Sequence, residues 1–424
     1  MLSETVTEPS PLWWQRQDLG FDADGALTLA GHSLARLAET HTTPAYFYSA
    51  DRIKAKLRML QMALSQVGLP YRIFYAMKAN RFMPLLGLIR ATGAAGIDAC
   101  SPQEMDMALA CGFSETDISY TATSVSNQDL DILARHPEVL INCDSLSTIR
   151  RLGERCPGRA IGLRVNPGKG VGYGGNQLLQ YSGSKTTKFG IYREHMAEAL
   201  SMAARYDLKV VCIHFHVGIG YLPPQLPMWD EVVSDCTWFV DQVPTVQSVN
   251  LGGGLGLPHV ASDRPLDLDH WAGIIRRHFG PRGVMVCVEP GDFIVKDSGV
   301  LVLQVNSVER KQQIDFIGVN GGFNLAVEPF FYKMPCEPVP CRISAAAKTA
   351  YAPANLKPVT IAGNINEALD IWAEQVPLPP LKEGDYLAFI NAGGYASAMS
   401  SNHCMRGQFY ERLLYPTTAA PAQP

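Results

Sequence analysis

The chain reads as an α/β protein: a (β/α)8 TIM-type barrel followed by a C-terminal antiparallel β-domain, with the N-terminal segment contributing to that β-domain. Three observations carry this. Eight short apolar runs recur between residues 45 and 290 with helical stretches between them, the alternation of a parallel sheet with crossover helices. Polar or glycine-rich motifs stand directly after the ends of these runs, where the working face of a barrel lies. After Glu289 the pattern changes to β-prone runs with few long helices, which suits hairpin-connected strands. A doubly wound open sheet is the alternative for the first part. Polar motifs after strand ends all the way round favour the barrel.

The segment before the barrel, residues 1–44, predicts a hairpin over 22–31 with Asp24-Gly25 as its turn. A short helix follows over 34–39. The run 43–48 is a strand leading to a helix N-cap at Ser49 or Asp51. The barrel, residues 45–290, takes its strands from the runs 72–76, 96–99, 118–121, 139–142, 161–165, 210–216, 246–251 and 284–288, and helices such as 102–110, 128–135 and 145–155. The β-domain, residues 291–416, has strand-like runs at 299–310, 314–319, 359–362 and 386–390. The Thr/Ala/Pro-rich tail, 417–424, is expected to be disordered.

At 47% hydrophobic and 18% charged residues, the composition is that of a globular enzyme and excludes a disordered chain. A net charge of −4 without a basic block argues against nucleic acid. No apolar run is long enough to span a bilayer, and residues 1–11 lack the pattern of a signal peptide. The ten cysteines are scattered, with no CxxC pair. This points to reduced thiols in a cytoplasmic protein, without a disulfide framework or zinc site.

Lys78 ends the first strand, in Phe74-Tyr75-Ala76-Met77-Lys78-Ala79-Asn80. An amine held in a barrel mouth can form a Schiff base with a carbonyl cofactor; the alternative is a solvated surface lysine. Gly252-Gly253-Gly254 follows the seventh strand, where backbone N–H groups can cradle phosphate, or simply turn. Glu289, after the eighth strand, suits a protonated ring nitrogen or a turn cap. His214 and His216 end the sixth strand on one face. One imidazole could stack on a cofactor ring, or both could pack as core residues. A metal lacks a matching third ligand, so none is expected. The polar stretch 181–190 is either a substrate-covering loop or an ordinary connection.

Taken together, Tyr75-Ala76-Met77-Lys78-Ala79-Asn80, Arg164-Val165-Asn166-Pro167, His214-Phe215-His216-Val217-Gly218, Gly252-Gly253-Gly254, Glu289-Pro290-Gly291 and Gly393-Gly394-Tyr395 resemble the pyridoxal-phosphate-dependent decarboxylases of the alanine-racemase-like barrel fold, the diaminopimelate and ornithine decarboxylase group. The resemblance runs from about residue 30 to 412 and implies pyridoxal 5′-phosphate as cofactor. It implies Lys78 as its Schiff-base lysine, Glu289 on the ring nitrogen and His216 stacked on the ring. Gly253, Gly254, Gly291 and Tyr395 would hold the cofactor and its phosphate. Asp98 and Glu104 resemble the family's acids near the lysine, and Arg164 the arginine beneath the ring. A head-to-tail homodimer with shared active sites is also implied.

Four departures set the substrate expectation. Asp292 stands where the family has arginine after Glu-Pro-Gly. Glu328 stands at the place of an arginine that helps hold the distal carboxylate of diaminopimelate. Together they would invert the local charge by about four units and repel that carboxylate. Asn366 replaces the family's cysteine in Asn366-Glu367-Ala368-Leu369-Asp370 and cannot donate a proton near neutral pH. Tyr332 or water would then supply it, while Glu367 and Asp370 would orient a substrate amine. Gly218-Ile219-Gly220 lacks the serine that usually follows the histidine motif. The sequence therefore predicts a decarboxylase of specialised metabolism acting on an amino acid other than meso-diaminopimelate, with a cationic or neutral distal group as in lysine or ornithine, giving an amine and CO2. The alternatives are another carbanion fate in the same fold (deamination or racemisation), a conjugated or carrier-tethered substrate, and a cofactor-binding protein without turnover.

Overall fold

The computed structural model describes residues 12–183, 185–343 and 347–417. Within them, residues 53–257 and 264–295 form one compact unit. Its strands are β1 (Tyr71–Ala76), β2 (Gly96–Ala99), β3 (Ile118–Tyr120), β4 (Leu140–Cys143), β5 (Ala160–Asn166), β6 (Lys209–His214), β7 (Ser248–Asn250) and β8 (Met285–Val288). Each pairs in parallel with the next, and β8 returns to β1 with Cys287 opposite Arg72. The sheet is therefore a closed barrel, and the open-sheet alternative falls. Continuous apolar runs such as Ile73–Ala76 form strands here because they are covered on both faces.

Helices α1 (Met83–Thr92), α2 (Pro102–Ala110), α3 (Asn127–Leu133), α4 (Leu146–Arg155), α5 (Met196–Arg205), α6 (Leu226–Asp241) and α7 (Leu268–Phe279) alternate with these strands. The hydroxyls of Ser101, Ser126 and Ser145 accept the backbone N–H three residues on and start α2, α3 and α4. α4 buries Ile149 and Leu152 on one face and leaves its arginines outward, the pattern of a helix lying on a sheet.

Residues 12–52, 258–263 and 296–417 form the second unit. Its long strand β9 (Gly299–Lys311) pairs antiparallel with β10 (Ile314–Val319), with the N-terminal strand Ala45–Ser49 and with β13 (Tyr386–Phe389). β11 (Lys357–Ala362) runs parallel to β10 and antiparallel to β12 (Ile371–Leu378). The sheet is thus mixed, whereas the sequence predicted an antiparallel one. The long connection between β10 and β11 permits a crossover that a tight hairpin would forbid. The strand Tyr410–Leu414 also runs parallel to Ala45–Ser49. The core of this unit joins Leu27, Phe47, Val300, Val339 and Ala388, all fully buried. The hairpin around Asp24-Gly25 is present, as Leu19–Phe21 against Leu27–Leu29. Residues 418–424 of the tail and 1–11 lie outside the described residues. Among the described residues no helix is long and apolar enough to cross a membrane.

Candidate active site

The carboxyl ends of the barrel strands gather the predicted groups. Lys78 sits on the single turn Met77–Ala79 that closes β1. Its Nζ donates to Asp98 Oδ2 at 2.5 Å, from the end of β2. Asp98 is buried, and burial together with the nearby Glu289 charge pushes its carboxyl up to about 7, against the opposing pull of Lys78. Its second oxygen, Oδ1, has no partner among the described residues. Glu104 has a local role as well, accepting the backbone N–H of Cys100 at 2.7 Å.

Glu289 follows β8 and is held by three donors. Asn250 Nδ2 lies 2.7 Å from Oε1, Ser119 Oγ 3.2 Å from the same oxygen, and His214 Nε2 2.8 Å from Oε2. Burial alone would raise its pKa; the hydrogen bonds from His214 and Asn250 and the charge of Lys78 hold it below the usual carboxylate range. Glu289 is therefore an anion at any working pH.

His216 accepts the Gly253 N–H at Nδ1, 3.2 Å away, and takes the edge of Tyr181 at 4.8 Å between ring centres. Burial, followed by Arg164 and Lys78, drives its pKa well below the usual range, so it is a neutral ring. Arg164, buried on β5, lies over Phe189 at 4.6 Å. Residues 181–183 and 185–190 are therefore packed on this end of the barrel through Tyr181, Phe189 and Ser182, whose hydroxyl reaches Asn166 at 2.5 Å.

The glycine run is sterically required. A Cβ at Gly253 would lie 2.3 Å from the Glu289 carbonyl oxygen, and one at Gly254, where φ is +94°, would lie 2.3 Å from that of Gly218. Backbone packs closely against backbone here, and only glycine allows that approach. A strand-end amine, an anionic acceptor for a ring nitrogen and a bare-backbone cradle form a set that fits pyridoxal phosphate.

A family model described as the pyridoxal-dependent decarboxylase, pyridoxal binding domain, matches residues 50–296. The chain belongs to this family. Its cofactor is pyridoxal phosphate, and its reaction class is that of a carboxy-lyase. The sequence is 33% identical to the diaminopimelate decarboxylase of Methanothermobacter thermautotrophicus over 94% of this chain and 92% of that one. It is 31% identical to the Escherichia coli diaminopimelate decarboxylase, over 91% of each. The crystal structure of AQ1208 from Aquifex aeolicus superposes with a TM-score of 0.82 at 26% identity, over 94% and 93% of the two chains.

These relatives overturn one expectation. The sequence predicted an amino acid other than meso-diaminopimelate, yet relatives that match more than nine-tenths of the chain at 31% and 33% identity are diaminopimelate decarboxylases. The charge argument behind that expectation also fails on geometry. Glu328 is buried in the short helix Val327–Phe331 and is ion-paired with Lys296. It is not an unopposed acid, so the count of inverted charges was too high.

The remaining predicted residues divide between the units. Gly291 and Asp292 begin the short buried helix Asp292–Val295 after β8, the Gly291 carbonyl accepting the Ile294 N–H. In the second unit, Tyr395 and Glu328 line one cavity of about 30 Å³ with Lys296 and His259, room for roughly one water. Tyr332 closes the Glu328 helix by donating its N–H to the Glu328 carbonyl. Asn366 and Glu367 are exposed on the β11–β12 connection, Glu367 3.5 Å from His403. Asp370 is buried and staples two loops, accepting the N–H groups of Phe323 and Ile365 at 2.7 Å each. Among the described residues no group of three or more His, Cys, Asp or Glu is arranged to hold a metal ion.

Sequence reasoning passed over Ser119, Asn250 and Lys296. Asn250 and Ser119 are polar residues inside apolar strand runs, and Lys296 is a lysine directly after the apolar run 293–295. Each was a signal that a buried acid awaits it.

Proposed function

We propose that the protein removes one carboxylate of diaminopimelate as CO2 and releases lysine. The observation that supports this most is the likeness to diaminopimelate decarboxylases along almost the whole chain. Bound pyridoxal phosphate supplies the sink for the electron pair left when the carboxylate departs. Lys78 is the amine that tethers the cofactor, and Asp98 takes or returns its proton at Nζ. Glu289 holds the ring-nitrogen proton as a buried anion. His216 lies against the ring as an uncharged plane. The N–H groups around Gly253 and Gly254 take the phosphate. Tyr332, Glu367 and Asp370 belong to the substrate end in this reading, with Asp370 acting through the two loops it ties.

The reading includes a head-to-tail homodimer with shared sites in a reducing, cytoplasmic compartment. The ten cysteines are free, which supports the compartment. The test is direct: the cofactor-loaded protein is incubated with meso-diaminopimelate, and CO2 and lysine are measured. Equal amounts of both support the reading. No CO2 from this substrate, with release from another amino acid, refutes it.

A further inference from the structure

His214 is used by nothing proposed so far. It is the last residue of β6, fully buried, and its Nε2 lies 2.8 Å from Glu289 Oε2. The donors on Glu289 come from three strands. Asn250 ends β7 and also takes the Gly252 N–H at its Oδ1, 3.0 Å away. Ser119, in β3, accepts from Asn142 Nδ2 at 3.0 Å, and the same amide donates to Thr121 Oγ1 at 2.9 Å. One Ser119 lone pair is thereby occupied, and its O–H donates to Glu289 Oε1.

Two features fix the state of the imidazole. A carboxylate offers about four acceptor positions; Asn250, Ser119 and His214 fill three of those on Glu289. His214 Nδ1 is buried with no partner among the described residues. An imidazolium would present a buried N–H there without an acceptor, and that state is costly. The neutral ring with its proton on Nε2 leaves only an acceptor lone pair idle. Around the pair stand the cations Lys78 and Arg164, the acid Asp98 and the neutral His216. None faces Nδ1 as a hydrogen-bond acceptor.

We propose that His214 is a positioning residue: a neutral imidazole whose Nε2–H orients Glu289, leaving that carboxylate a full negative charge and one open acceptor position for the cofactor's ring nitrogen. An imidazolium at the same place would cancel the charge that a protonated ring requires. The inference rests on the reading of Glu289 given above.

Two measurements test it. The first needs no variant: nitrogen-15 NMR of histidine-labelled apo protein. The His214 ring is expected as the neutral Nε2–H form, and an imidazolium at neutral pH overturns the proposal. The second uses pyridoxal phosphate labelled with nitrogen-15 in its ring. The wild-type ring nitrogen is expected to be protonated. His214→Leu removes the donor and is expected to shift that nitrogen toward its neutral signal, with kcat down about tenfold to hundredfold and KM little changed. His214→Gln restores a donor and is expected to recover most of both. A ring that stays protonated in His214→Leu overturns the proposal while leaving Glu289 in place. An unprotonated ring in the wild type removes the Glu289 reading itself.

Discussion

Replacing Lys296 by methionine keeps the volume and deletes the ammonium. The Lys296 side chain is 2% exposed and that of Glu328 11%, so the variant takes the ammonium away from a carboxylate that water hardly reaches. Removing one partner of such a pair costs about 3–5 kcal/mol, whereas replacing both by apolar groups is near neutral. For a unit of this size each kcal/mol moves the midpoint by about 2–4 °C. Lys296→Met should therefore lower the melting temperature of the C-terminal unit by about 6–20 °C. The double variant Lys296→Met/Glu328→Met should recover to within a few degrees of wild type, giving a large coupling energy between the two sites. Thermal and urea unfolding followed by tryptophan fluorescence would read it, since Trp372 lines the same cavity. The same geometry says that Glu328→Arg sets a guanidinium beside the Lys296 ammonium and destabilises the unit. A Lys296→Met variant within about 1 kcal/mol of wild type, or a double variant as unstable as the sum of the singles, would refute the account of Glu328 as a neutralised acid.

Two further outcomes follow from the barrel. Glu289→Gln should destabilise the apo protein fully above pH about 4.5 and progressively less as pH falls below it. Its folded pKa is depressed below the usual 4.5, so its stabilising charge is present above the unfolded value and lost through the folded one; a pH-independent difference in urea midpoint would contradict this. Gly253→Ala should weaken pyridoxal phosphate binding by about tenfold or more, because the added carbon lies 2.3 Å from the Glu289 carbonyl. Fluorescence titration of the cofactor checks it, and unchanged affinity would show that the cradle yields.

The barrel was legible because its strands are buried on both faces, so runs such as 73–76 and 284–288 stand out as unbroken apolar stretches. Its helices were legible as the stretches between those runs, and the serines that cap 102–110 and 127–133 were seen only in the structure. Lys78 and Glu289 were legible as polar residues at strand ends. The hydrogen bonds that give them their charge states were not, because Ser119, His214 and Asn250 meet Glu289 only when the barrel closes. The parallel β10–β11 pair escaped notice because pairing direction is decided by the path of a long connection, which leaves no periodic mark. The substrate expectation failed for a related reason. Asp292 and Glu328 were counted as acids, while the lysine that answers Glu328 lies 32 positions away and belongs to no local pattern.

The central claim is that Lys78 carries the cofactor at the mouth of the barrel. Borohydride reduction of the protein loaded with pyridoxal phosphate, followed by digestion and peptide mass spectrometry, tests it most directly. The account predicts a stable pyridoxyl group on the peptide containing Lys78 and none in a Lys78→Ala variant. A label on another lysine, or a protein that takes up no label, would contradict it.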